Sequence, residues 1–431
     1  MKNLALLICI GSFLSLSSCI EAPNNYTHLP PGEWRGVLKI TDPDEVSASA
    51  VTLGEDQKIS NYFELPFNML VEYEGDEMKV YLINGPEKIE IENVHLGRDA
   101  STAKDTLLLE MTAFDSYMDG FYEENTIEGN WVINFKQGYK IPYFIQFGEN
   151  HRFIRNPVED TKDFSGNWKF VFDYDDDPYT GIGEFTQNKN SLSGTIRTET
   201  GDYRYLDGNA YGDKLRLSVF DGAHAFLFSG AMDKDTIYGE FRSGKHYKTK
   251  WYATKDKSFM LANPNQMTAA TTNSPIDFSY PDSGGSTFSL SSLPSDKLTI
   301  INIMGTWCPN CKDEINYLKE LKASNQYDLS IVSLAFERYK DESKALEKLS
   351  AYKKTMGVDW PIVLGGFANK KENSEQLEFI DKLYSYPTMI VLDGKKVIRH
   401  IHTGFSGPAT SKYSEFKKEM KVLLTELNKE L

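Results

Sequence analysis

Leu298-Thr299-Ile300-Ile301-Asn302-Ile303-Met304-Gly305-Thr306-Trp307-Cys308-Pro309-Asn310-Cys311 is the stretch on which the reading of this chain turns. Its first seven residues are an apolar run of strand length. From Lys312 to Leu321, Ile315, Leu318 and Leu321 repeat at helical spacing. A buried strand running straight into a helix sets Cys308 at the helix amino terminus. There the unpaired backbone N–H groups and the helix dipole stabilise a thiolate, lowering its pKa from about 8.5. Cys311 lies one turn deeper, within reach of a disulfide but shielded from solvent. Cys308 is therefore the expected nucleophile and Cys311 the expected resolving thiol. A lone C-x-x-C is also half of a zinc site, but there is no second Cys pair and the histidines lie elsewhere, so no metal is expected.

The 431-residue chain holds four cysteines. Cys9 falls in a segment that reads as an export signal, with Lys2 as its positive end and a short apolar run from Leu4 to Leu16. A permanent membrane helix needs about 20 apolar residues, so this run is too short. It ends at Leu16-Ser17-Ser18-Cys19, which resembles the lipobox of bacterial lipoproteins. The resemblance implies a signal over 1–18, a lipid on Cys19, a tether over 19–31 and a place in the cell envelope facing the periplasm. Ile20 is not an obvious retention signal, which leans towards the outer membrane. Only Cys308 and Cys311 then remain. A pair separated by two residues closes almost no loop and adds little folding stability, so it is better explained as a redox couple.

Other features around the dithiol fall into a pattern. Asp277-Phe278-Ser279 and Gly285-Ser286-Thr287-Phe288-Ser289-Leu290 precede the strand. Tyr386-Pro387-Thr388, the apolar run Met389 to Leu392 and Asp393-Gly394 follow it. Gly404-Phe405-Ser406-Gly407-Pro408 and an amphipathic helix from Ser411 to Leu427 close the chain. Together these resemble the TlpA-like, redoxin branch of the thioredoxin superfamily, the membrane-tethered disulfide reductases, over residues 275–431. The resemblance implies an α/β thioredoxin-like domain and thiol–disulfide oxidoreductase activity without a cofactor. It also implies a cis Pro387, beside which the backbone of Tyr386 meets an extended substrate. Trp307 and Pro309 would flank the nucleophile, and Glu314 would relay protons to the resolving sulfur. Asn302 stands six residues before Cys308, where cytoplasmic thioredoxins carry a buried Asp, which shifts the relay towards Glu314.

The 76-residue interval from Cys311 to Pro387 is longer than in a minimal thioredoxin. Helices over Asp341–Thr355 and Ser374–Tyr384, with Val358–Leu364 between them, are expected to fill it. Peroxiredoxins carry a similar insertion, which makes a peroxide reductase the runner-up. The W-C-x-x-C arrangement argues against it, because a peroxidase needs a lone cysteine supported by Thr and Arg.

The preceding half reads as all-β: short alternating segments such as Met78–Leu82 and Leu215–Val219 are punctuated by Gly, Asn and Asp. It also reads as a duplication. Gly32-Glu33-Trp34 answers Gly166-Asn167-Trp168, Asp105 to Leu109 answers Asp213 to Leu217, and Thr126 to Trp131 answers Thr236 to Phe241. Two related antiparallel barrel or sandwich units follow, over 32–150 and 160–256. The G-x-W opening resembles the first strand of lipocalin-like barrels, so a ligand-binding β-module with an auxiliary redox domain is a further alternative. A linker over 257–274, rich in Asn, Thr and Ala from Asn263 to Ser274, separates the halves. Asp173 to Asp177 reads as a solvated hairpin tip, and His400 and His402 as solvent-facing.

The formal charge is −15. Residues 276–431 hold 21 basic and 21 acidic side chains, so the excess lies wholly in the first 275. That surface repels phosphate backbones and excludes nucleic acid as a partner. The expected partners are disulfide-containing exported proteins, an upstream electron donor, and the membrane through the lipid.

Overall fold

The computed structural model describes residues 29–41 and 62–431. Cys19, the expected lipid site, lies outside the described residues. Among the described residues no helix is long and apolar enough to cross a membrane.

Nine antiparallel strands come first: β1 (Gly32–Thr41), β2 (Tyr62–Glu74), β3 (Glu77–Asn84), β4 (Glu87–Glu90), β5 (Asn93–Asp99), β6 (Lys104–Met111), β7 (Ser116–Glu123), β8 (Thr126–Ile133) and β9 (Lys140–Phe147). Their order is β4-β3-β2-β1-β9-β8-β7-β6-β5, an open sheet. Within β6, Leu107, Leu109 and Met111 are buried and their neighbours are not, the two-residue period of a strand with one face on a core.

Eight more strands close into an antiparallel barrel: β10 (Gly166–Phe172), β11 (Tyr179–Asn188), β12 (Ser191–Thr198), β13 (Leu206–Tyr211), β14 (Lys214–Phe220), β15 (Ala225–Asp233), β16 (Thr236–Ser243) and β17 (Tyr247–Thr254). Rings fill its interior, with Trp168, Phe170, Phe172, Phe228, Phe241 and Trp251 all 2% exposed or less.

The two units share a register. Leu107 pairs with Gly120, Gly120 with Gly129, and Gly129 with Tyr143. In the barrel Leu215 pairs with Gly230, Gly230 with Gly239, and Gly239 with Trp251. A Cβ on Gly129 would meet the Asp119 carbonyl oxygen at 1.7 Å, and one on Gly239 the Ser229 oxygen at 2.3 Å. Neither position admits a side chain. Trp34 and Trp168 each donate a ring N–H to the carbonyl four residues earlier, Pro30 at 3.2 Å and Phe164 at 2.8 Å.

The units differ in closure. The first is a half-barrel, an open sheet whose core is completed by side chains of the second unit. Phe220, Ala225 and Leu227 of the barrel belong to its hydrophobic core. Asn84 donates to the Phe220 carbonyl at 3.0 Å and accepts from the Phe220 N–H at 3.3 Å, fixing the joint.

The last third begins with a hairpin, β18 (Ser279–Pro281) and β19 (Thr287–Ser289). Then come β20 (Leu298–Met304), α1 (Pro309–Ala323), β21 (Leu329–Glu337), α2 (Glu342–Thr355), β22 (Ile362–Phe367), α3 (Lys370–Gln376), β23 (Thr388–Leu392), β24 (Ile398–Thr403) and α4 (Tyr413–Leu427). The sheet order is β22-β21-β20-β23-β24, with β20, β21 and β22 parallel and β23 and β24 antiparallel to their neighbours. All seven residues of β20 are buried, so the dithiol is delivered from the centre of the sheet.

Three expectations need correcting. The helix read over Ser374–Tyr384 lies earlier, because Asn369 caps it by accepting from the N–H groups of Lys371 and Glu372. Residues 257–274 are docked rather than free: Thr271 donates to the Phe379 carbonyl at 3.1 Å, and Ala269 to the Asp381 carboxylate at 2.8 Å. His402 is buried, with Nδ1 2.7 Å from Asn265 Oδ1.

Candidate active site

Cys308 is the amino-terminal cap of α1, with extended backbone and Pro309 as the first helical residue. Proline fits there because the first helical N–H has no partner within the helix. The Cys311 N–H points at Cys308 Sγ at 3.3 Å, so the helix terminus solvates that sulfur. Cys308 and Cys311 are disulfide-bonded, with Cα atoms 5.2 Å apart. Cys308 is 7% exposed and Cys311 fully buried.

The neighbouring side chains hold the loop. Thr306 donates its N–H and hydroxyl to Glu337, at 2.9 and 2.8 Å. Trp307 donates to the Phe336 carbonyl at 2.9 Å and meets Tyr386 edge-on, with ring centroids 5.5 Å apart. The Arg338 guanidinium lies 3.9 Å above the Trp307 ring, a cation–π contact that covers one face. The Tyr386–Pro387 bond is cis, and the Tyr386 carbonyl oxygen is 3.5 Å from Cys308 Sγ. Tyr386 donates its hydroxyl to Asn373 at 2.6 Å, which anchors this loop to α3.

Glu314 is fully buried one turn beyond Cys311 and accepts a hydrogen bond from the Asn302 amide. Burial pushes its carboxyl up to about 8, against the opposing pull of that hydrogen bond. Burial thus favours its protonated form. Among the described residues, Glu314 Oε1 and Asn302 Oδ1 have no hydrogen-bond partner. Burial also pushes Glu337 up to about 7, opposed by its two bonds from Thr306.

Trp307, Cys308, Pro309, Cys311, Tyr386 and Pro387 thus converge, with Glu314 behind them in α1. Glu337 and Arg338 were not singled out from sequence. Their signal is position: they stand at and just past the carboxyl end of a parallel strand, where open α/β sheets place functional groups.

Residues 269–418 match the Redoxin family model. This segment is a redoxin domain of the thioredoxin family. Its relatives are thiol–disulfide oxidoreductases. Among them, thioredoxin-like protein YneN of Bacillus subtilis is 28% identical over 30% of this chain and 68% of its own length. The thiol:disulfide interchange protein DsbE of Yersinia pestis is 30% identical over 28% of this chain and 56% of its own length. DsbE of Escherichia coli K12 is 27% identical over 35% of this chain and 70% of its own length.

Proposed function

We propose that this chain is a lipid-anchored, periplasm-facing thiol–disulfide reductase that acts on disulfides of exported proteins. The observation that carries this is the Cys308–Cys311 disulfide at the α1 terminus, beside the Tyr386–Pro387 loop. In the reduced enzyme the Cys308 thiolate attacks one sulfur of a substrate disulfide. A mixed disulfide forms and the other substrate sulfur leaves as a thiolate. Cys311 gives its proton to the ionised fraction of Glu314 and attacks Cys308 Sγ, releasing the second substrate thiolate and closing the Cys308–Cys311 bond. Two electrons pass to the substrate, and a dithiol donor restores the enzyme by the reverse exchange, in which Glu314 returns a proton to Cys311.

The reading of the chain start supports export and a lipid on Cys19. The direction follows from the reduction potential, since 30 mV is worth about 1.4 kcal/mol for a two-electron couple. We assign the β-units to enclosing the dithiol rather than holding a ligand, because the barrel is filled by its own rings. The full chain with a dithiol donor should reduce insulin disulfides, and Cys308→Ser should abolish this. Undiminished turnover in Cys308→Ser would refute the mechanism.

A further inference from the structure

The β12–β13 hairpin of the barrel, Glu199 to Tyr205, reaches out of its own unit and ends against the redox centre. It is braced internally: the Thr198 N–H donates to the Gly201 carbonyl at 2.7 Å, and the Arg204 N–H to the Asp202 carboxylate at 2.8 Å. Its tip touches the segments around Ser385 and Gly404–Gly407 and the start of α1. Ser385 donates its hydroxyl to the Thr200 carbonyl at 3.0 Å, immediately before Tyr386 and Pro387. Gly407 donates its N–H to Asp202 at 2.7 Å. A Cβ on Gly404 would meet the Thr200 carbonyl at 2.9 Å, and one on Gly201 would lie 1.9 Å from the Asn310 side-chain nitrogen. Gly201 also has φ of +157°, a backbone conformation that side chains rarely adopt, so the tip favours glycine there.

One side chain pins this arrangement. Arg204 is buried and donates to Asp313 of α1, to the Pro309 carbonyl at 3.5 Å, and to Glu87 of the open sheet. Asp221 of the barrel lies 3.8 Å from its Nε. A single guanidinium therefore ties both β-units to the first turn of the helix that carries the dithiol. A second support, from the open sheet, seats Asp115 against Tyr339 and Lys348 of the redox domain.

We propose that the Glu199–Tyr205 hairpin occupies the substrate groove of the redox domain and sets which disulfides reach Cys308. Small disulfides pass beside it; a folded or extended protein segment must displace it. The inference rests on the thiol–disulfide exchange described above and adds the element that filters its substrates. Because only the open fraction reacts with a protein, loosening the hairpin raises that rate in proportion to the open fraction.

The test uses the full chain, reduced beforehand, and two variants on the barrel side. Arg204→Ala removes the pin. Gly201→Ala strains the backbone of the tip at its φ of +157° without touching a charge, so it remains informative if Arg204→Ala does not fold. Rate constants for oxidation of Cys308 and Cys311 are measured with hydroxyethyl disulfide and with insulin. Relative to the parent, the insulin-to-hydroxyethyl-disulfide rate ratio should rise about tenfold or more. A ratio unchanged in the folded variants would overturn the proposal. Failure of hydroxyethyl disulfide to oxidise the parent would instead overturn the exchange chemistry, and the hairpin's role with it.

Discussion

Glu314→Gln tests the buried acid through its effect on stability. In the unfolded chain this carboxyl titrates near the ordinary 4.5; in the folded protein burial raises it to about 8. The folded state therefore holds a proton that the unfolded state has lost across this window. Stability should be greatest below 4.5, fall as pH rises, and level off above about 8. Each pKa unit is worth about 1.4 kcal/mol, so from pH 5 to 8 the loss is about 3 kcal/mol. Gln cannot ionise, and its amide oxygen still accepts from Asn302, so the variant should lack this slope. Denaturant unfolding of parent and variant at several pH values measures the difference directly. Curves that stay parallel to within about 1 kcal/mol would mean that burial does not raise the Glu314 carboxyl, refuting this account of the buried acid.

The same substitution should raise the apparent pKa of the resolving step in stopped-flow pH–rate profiles, because Cys311 loses its proton acceptor; coincident profiles would contradict this. Trp34→Ala and Trp168→Ala should each cost roughly 3–5 kcal/mol, since both rings are buried at equivalent points of the two units. Calorimetry showing a loss at only one of the two sites would mean their cores are not alike. Glu337→Ala leaves the Thr306 N–H and hydroxyl without their acceptor. It should cost about 1–3 kcal/mol and slow oxidation by hydroxyethyl disulfide, and an unchanged rate would show that Glu337 does not hold the loop.

Local signals made the redox centre legible. An apolar strand, a C-x-x-C and a helical repeat are contiguous, so Cys308 could be placed at the cap of α1 without tertiary information. The repeat was legible for a similar reason, because Gly129 and Gly239 mark cross-strand contacts too close for any Cβ. What could not be read depends on contacts between distant segments. Arg204 sits 109 residues from Asp313 and 117 from Glu87, and nothing in its flanking sequence marks it as a joint. That the first unit stays open could not be read, because Phe220 and Leu227, which complete its core, come from the other unit. Residues 257–274 looked like a linker by composition, yet their backbone and polar groups find partners across the redox domain. His402 alternates like a solvent-facing strand residue, and only its distant partner Asn265 accounts for its burial.

The central claim is that electrons leave this protein through Cys308. Cys311→Ser removes the resolving thiol and leaves the nucleophile at the helix cap. When the reduced full-length variant is mixed with insulin, mass spectrometry after alkylation should find one insulin chain linked through a disulfide to Cys308. Cys308→Ser, treated in the same way, should carry no such adduct. An adduct that forms on Cys311 in Cys308→Ser, with none on Cys308 in Cys311→Ser, would contradict the account.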